Sequence, residues 1–227
     1  MEQVISSLNL SKEAQAKFKA YYDFLKEENE KYNLTSITDL DEVYIKHFYD
    51  SSYALNCFDL SGKSLADIGS GAGFPGMVLK IINNDIKLTL IEPTKKRADF
   101  LKELCNKLEL RDVTIINDRA ESAIKDLRES FDFVTARAVS NLRILLELTI
   151  PYLKVGGSFI AYKGLDVNQE LEEAKNALKK LNSKVVNIYN YKLLNDLGER
   201  SLIEVKKEKA NDLIFPRDYA KIKKKPL

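Results

Sequence analysis

Leu65-Ala66-Asp67-Ile68-Gly69-Ser70-Gly71-Ala72-Gly73-Phe74-Pro75-Gly76 decides the fold of this chain. Its first residues read as a buried strand closing on an acid. Its middle is a glycine-rich turn, and Pro75 stands where a helix would begin. Glycines tolerate positive φ and let main chain press against a ligand, while a helix N-terminus offers free N–H groups. Four glycines between Gly69 and Gly76 exceed what a bare strand-to-helix turn requires.

Outward from this turn, short apolar runs alternate with amphipathic stretches. Strands are expected over 64–68, 88–92, 113–117, 131–135, 157–162, 185–191 and 202–206, with helices over 75–83, 95–108, 121–127, 142–153 and 167–181. Connections this short argue for a Rossmann-like α/β fold with a mostly parallel seven-stranded sheet and helices on both faces. No helix separates the last two strands, so an antiparallel final strand is expected there. Upstream, helices are expected over 11–33, with Ser11 as N-cap, and over 40–58. The chain therefore divides into an N-terminal helical extension (1–62), a catalytic-type domain (63–210) and a basic tail (211–227).

The chain has 227 residues, 44% of them hydrophobic, and 36 Lys plus Arg against 34 Asp plus Glu leave a net charge of +2. A near-neutral total says little about nucleic-acid partners, because a local basic patch suffices. Cys57 and Cys105 match neither a disulfide framework nor a metal spacing, which fits a reducing compartment such as the cytoplasm. No signal peptide or membrane span is expected. One histidine, His47, without a spaced acid–cysteine cluster, argues against a metal site; a packing or structural hydrogen-bond role is expected for it.

Gly71 to Gly76 formally matches the dinucleotide pattern G-x-G-x-x-G, but there the first glycine follows the strand directly, whereas here Asp67-Ile68-Gly69-Ser70 intervenes. Asp67 would repel a pyrophosphate and attract an ammonium or sulfonium group. The spacing thus favours S-adenosylmethionine as cofactor, with Gly69, Gly71 and Phe74 shaping its pocket. Glu92, at the end of the second strand, is placed to accept hydrogen bonds from ribose hydroxyls. Ala120 and Glu121, after the third strand, are placed to meet the adenine edge. Arg137, ending the fourth strand, is the first candidate for holding acceptor or cofactor, and Lys163 is a weaker one.

The exit of the fourth strand, Thr135-Ala136-Arg137-Ala138-Val139, lacks the (Asn/Asp)-Pro-Pro-aromatic motif common among enzymes that methylate exocyclic amines. Cys105 belongs to an apolar helical stripe with Phe100, Leu101, Leu104 and Leu108, so it reads as core rather than nucleophile. Guanine N7 needs neither device, since its lone pair is free. Lys96, Arg97, Arg200, Arg217, Lys223, Lys224 and Lys225 are candidate contacts to RNA phosphates.

The Asp67–Gly76 turn resembles that of the small-subunit rRNA methyltransferase G family (RsmG, also called GidB). So do Asn33-Leu34-Thr35, His47-Phe48-Tyr49-Asp50-Ser51, Lys96-Arg97 with Phe100-Leu101, and Arg119-Ala120-Glu121. Arg137-Ala138, Lys163-Gly164, Glu199-Arg200, Phe215-Pro216-Arg217 and the ending Lys225-Pro226-Leu227 extend the likeness over nearly the whole chain. The resemblance implies a cytoplasmic bacterial enzyme with the class I S-adenosylmethionine-dependent methyltransferase fold. It implies methyl transfer to guanine N7 in the 530 loop of 16S rRNA, with cofactor contacts at Gly69, Phe74, Ala120, Glu121 and Arg137. Its partner would be the small ribosomal subunit, and a monomer is expected. Two departures stand out: Glu92 replaces the Asp frequent in the family, and Asp218-Tyr219-Ala220-Lys221-Ile222 replaces a common Gly-Thr-Pro. Competing readings are a methyltransferase acting on another RNA position, a protein or a small molecule; a dinucleotide oxidoreductase; and a non-catalytic RNA-binding or ribosome-assembly module.

Overall fold

A computed structural model describes residues 1–137 and 140–227, so Ala138 of the resemblance, and Val139 after it in the exit of the fourth strand, lie outside the described residues. After a short α1 (Glu2–Ser7), α2 (Lys12–Tyr32) starts where the Ser11 side chain accepts from Ala14 N and stops where Asn33 turns left-handed at φ 49°. α2 buries Phe18, Tyr21, Tyr22, Phe24 and Leu25 along one face.

The single helix expected over 40–58 is instead segmented. It runs through α3 (Leu40–Val43), a π-helical turn (Tyr44–Tyr49), α4 (Asp50–Ser52) and a 3₁₀ turn (Tyr53–Asn56). The wider turn rotates the residues after it, and such turns concentrate at functional sites. Here it sends Phe48 into the core while His47 and Asp50 face the site described below.

The main domain alternates β1 (Ser64–Ile68), α5 (Gly76–Ile82), β2 (Lys87–Ile91), α6 (Lys95–Lys107), β3 (Val113–Ile116), α7 (Ala120–Leu127), β4 (Phe131–Arg137), α8 (Leu142–Thr149), β5 (Leu153–Gly164), α9 (Asn168–Lys180), β6 (Ser183–Lys192) and β7 (Glu199–Lys207). The sheet order is β3-β2-β1-β4-β5-β7-β6. The first five strands are parallel, and β7 runs antiparallel to both β5 and β6. This is the mostly parallel sheet with an antiparallel last strand that the pattern implies.

Two element ends differ from expectation by four residues. α8 stops at Thr149 rather than 153 because Pro151, which has no N–H to donate, converts the chain into a 3₁₀ turn (Ile150–Tyr152). β5 then begins at Leu153 instead of 157.

One core cluster joins the N-terminal extension to the sheet through residues such as Phe18, Phe48, Met77 and Leu101, and the other fills the opposite face around Val134, Leu146 and Phe159. The extension is thus packed into the domain, with Phe24 stacked on Phe100 at 5.2 Å. The tail is also fastened: α10 (Tyr219–Lys224) buries Ile222 completely. Arg217, expected among the RNA contacts, instead forms a bidentate pair with the fully buried Glu147 of α8, at 2.7 and 2.6 Å. Unpaired, that buried carboxylate would be costly, so Arg217 belongs to the framework. No helix among the described residues is long and apolar enough to cross a membrane.

Candidate active site

The glycine-rich turn leaves β1 at the carboxyl edge of the sheet, beside the switch point between β1 and β4 where ligands of open α/β sheets bind. Gly73 shows why the turn needs glycine. Its φ is +99°, and a Cβ there would lie 2.6 Å from the Tyr21 hydroxyl and 2.7 Å from Met77. Tyr21 reaches in from α2 and donates to the Ala72 carbonyl, so the extension clamps the turn directly.

Glu92 follows β2 and is only 2% exposed. One carboxylate oxygen accepts from Gly71 N at 2.9 Å and the other from Thr94 N at 2.8 Å. The carboxylate therefore ties the turn to the loop after β2 while lining a cavity of about 400 Å³ with Gly69, Phe74, Arg97 and Arg137. A second pocket of about 220 Å³ shares Gly69 and Pro93 with the first and is bounded by Arg119, Ala120, Glu121 and Tyr219. A third, of about 350 Å³, shares His47 and Arg137 with the first and is lined further by Lys46, Asp50, Lys163 and Arg200.

Asp67 does not reach these cavities. Its carboxylate is fully buried behind the turn, accepting from Thr135 Oγ1 at 2.8 Å and from Gly76 N at 3.2 Å. Burial pushes its pKa up to about 6, against the opposing pull of those hydrogen bonds and of Arg137. The expectation that Asp67 meets a cofactor cation is corrected: strand alternation turns it inward, and it braces the loop instead.

Arg137 divides the first cavity from the third. Its guanidinium donates to Asp50 Oδ2 at 2.9 Å, the Lys46 carbonyl at 3.2 Å and His47 Nδ1 at 3.2 Å, and lies 5.1 Å from the Phe74 ring centre. Asp50, 4% exposed, also accepts from the Tyr191 hydroxyl at 2.7 Å. Tyr162 holds the same segment by donating to the Ser51 carbonyl at 2.7 Å. His47 Nδ1 lies 3.2 Å from both the Arg137 guanidinium and the Lys46 carbonyl, and Nε2 lies 3.0 Å from Thr35 Oγ1, so both ring nitrogens are engaged. The imidazole stacks on Phe74 at 4.5 Å. These contacts give His47 the packing and hydrogen-bonding role expected of it, inside the site.

Burial and the neighbouring Arg137 charge lower the His47 pKa from 6.5 to about 3, so the ring is neutral at physiological pH. The unfolded chain would bind a proton near the ordinary value, which makes the native state lose stability as pH falls below 6.5. Between pH 7 and 5 this loss amounts to about 2 kcal/mol. His47→Gln is expected to remove that part of the acid sensitivity, so that from pH 7 to 5 the wild-type urea midpoint falls more steeply than the variant's and the difference between them changes. A difference between the two midpoints that stays constant over this range would show that His47 does not titrate this way.

Among the remaining candidates, Lys163 lines the third cavity, but its ammonium is engaged by the Ser140 carbonyl at 2.8 Å and Glu170 at 2.7 Å. Arg97 lines the first cavity and Arg200 the third, whereas Lys96, Lys223, Lys224 and Lys225 are exposed. Cys105 is buried 3.8 Å from the Met77 sulfur, and burial pushes its thiol up to about 11. It is core.

A sheet of this order, with a glycine-rich turn after β1, a carboxylate after β2 and a ligand-sized cleft over both, defines the class I S-adenosylmethionine-dependent methyltransferase fold. Solved structures of that kind superpose on it. A SAM-dependent methyltransferase from Aquifex aeolicus matches at a TM-score of 0.56 and 18% identity, covering 76% of this chain and 96% of that one. TYW2 of M. jannaschii in complex with AdoMet matches at 0.56 and 16% identity, over 70% and 74%. The family model described as rRNA small subunit methyltransferase G matches residues 14–203. Ribosomal RNA small subunit methyltransferase G of Mycoplasma capricolum is 45% identical over 220 residues, covering 96% of this chain and 94% of the relative. The chain belongs to the rRNA small subunit methyltransferase G family.

Proposed function

We propose that this chain moves the methyl group of S-adenosylmethionine to N7 of a guanine in the 530 loop of 16S rRNA, working in the cytoplasm as a monomer on the small ribosomal subunit. The observation that carries this reading is the meeting of two cavities at Arg137, one suited to a donor and one to an acceptor.

The residues suit the donor. Glu92 keeps acceptor capacity beyond its two backbone partners and would take the ribose hydroxyls. Gly69 and Gly71 bring main chain against the ligand, Ala120 and Glu121 would meet the adenine, and Phe74 and Arg137 would close the methionine end. When bound, the cofactor supplies an electrophilic methyl on a cationic sulfur.

On the acceptor side there is no free base at the junction among the described residues. His47 has both ring nitrogens committed and stays neutral, and the Asp50 carboxylate is committed to Arg137 and Tyr191. That suits a nucleophile with a ready lone pair. Guanine N7 would form its bond to carbon as the sulfur–carbon bond breaks, the electron pair going to sulfur and the positive charge to the base. No proton has to move. The chain's task reduces to alignment and water exclusion, and pairing with Asp50 keeps Arg137 from opposing the incoming charge. Lys96, Arg97, Arg200 and Lys223 to Lys225 would grip phosphates around the opening.

Incubating unmethylated small subunits with methyl-labelled cofactor, then digesting the RNA, tests the assignment. Label is expected in 7-methylguanosine from the 530 loop. Label in another nucleoside or in protein would move the acceptor elsewhere.

A further inference from the structure

We propose that the C-terminal segment supplies the outer wall of the adenine pocket, with Tyr219 stacking on the base. This rests on the reading that the pocket beside Ala120 and Glu121 takes the adenine.

Tyr219 lies 70 residues or more from every other wall of that pocket in the chain, yet it lines it with Ile91, Pro93, Arg119, Glu121 and Leu148. The Tyr219 ring lies 5.9 Å from the Arg119 guanidinium, the geometry of a cation–π pair, so Arg119 and Tyr219 steady each other at the rim. An aromatic ring beside apolar lining residues such as Ile68, Ile91 and Leu148 suits a nucleobase held by stacking, while the neighbouring main chain of Ala120 and Glu121 would read its edge.

The segment is fixed on both sides of Tyr219, which is what a wall requires. Before it, Arg128 donates to the Phe215 carbonyl, and Arg217 makes its forked pair with the fully buried Glu147, next to the pocket residue Leu148. Beyond it, Ile222 is fully buried and Leu227 nearly so. The same fastening that takes Arg217 away from RNA thus delivers Tyr219 to the pocket.

The chain contains no tryptophan, so Tyr219→Trp would give a single fluorescent reporter at this position. Quenching or a spectral shift is expected on adding S-adenosylhomocysteine, with no response to methionine, which lacks the base. Tyr219→Ala is expected to bind S-adenosylhomocysteine roughly fivefold to tenfold more weakly by calorimetry, as loss of one aromatic stack implies. Tyr219→Phe is expected to bind like wild type. A silent tryptophan, together with unchanged affinity in Tyr219→Ala, would overturn the inference. If wild type itself failed to bind S-adenosylhomocysteine, the donor-site reading would fall and this inference with it.

Discussion

Arg137→Ala is expected to lower kcat/KM for methyl transfer by a factor of about 100 to 1,000, the range seen when one preorganised polar group is removed from a reaction centre. The guanidinium does three things that alanine cannot. It neutralises Asp50, it fixes the neutral His47 ring against Phe74, and it forms the partition shared by the two cavities. Arg137→Lys keeps the charge but not the fork that reaches Asp50, the Lys46 carbonyl and His47 together. It is expected to fall between wild type and alanine in rate, and to fold normally because Asp50 retains a cation. The deficit should appear mainly in turnover at saturating S-adenosylmethionine. Rates within threefold of wild type for both variants would remove Arg137 from the reaction centre.

Glu92→Gln is expected to weaken S-adenosylhomocysteine binding by roughly 30-fold to 100-fold, equivalent to about 2 to 3 kcal/mol. The carboxylate accepts from Gly71 N and Thr94 N, one on each oxygen, and an amide can satisfy only one of these donors. Its NH₂ group would face the other N–H, loosening the turn that cradles the ligand and withdrawing an acceptor from the ribose. Glu92→Ala loses both oxygens and is expected to be weaker still. Titration calorimetry reads the effect, with thermal melting to confirm that each variant is folded. Affinity within twofold of wild type would mean that Glu92 serves the turn alone.

The residues whose place at the cavity was readable from sequence are those set there by near neighbours. Gly69, Gly71 and Phe74 were legible because turn, strand end and helix start fall within a dozen residues. Glu92 was legible because it ends the next strand. Asp67 was misassigned for the same reason that it was noticed: a strand-end acid signals a ligand, but its position in the strand alternation sends it behind the turn toward Thr135. Arg137 was legible as a strand end, but its pairing with Asp50, and that of Asp50 with Tyr191, left no local mark. These partners are 87 and 141 residues from Asp50, and the π turn that aims Asp50 at them looks in sequence like ordinary amphipathic helix. Arg217 read as a surface charge since its partner Glu147 stands 70 residues earlier, in a helix expected to run longer than it does.

The most direct test of the two-cavity account is a crystal structure of the chain grown with S-adenosylhomocysteine. The account requires the ribose hydroxyls on the Glu92 carboxylate, the adenine beside Ala120 and Glu121, and the sulfur directed toward Arg137, where the two cavities meet. A ligand whose sulfur points away from Arg137, or one bound outside the cavities lined by Glu92 and by Ala120 and Glu121, would contradict it.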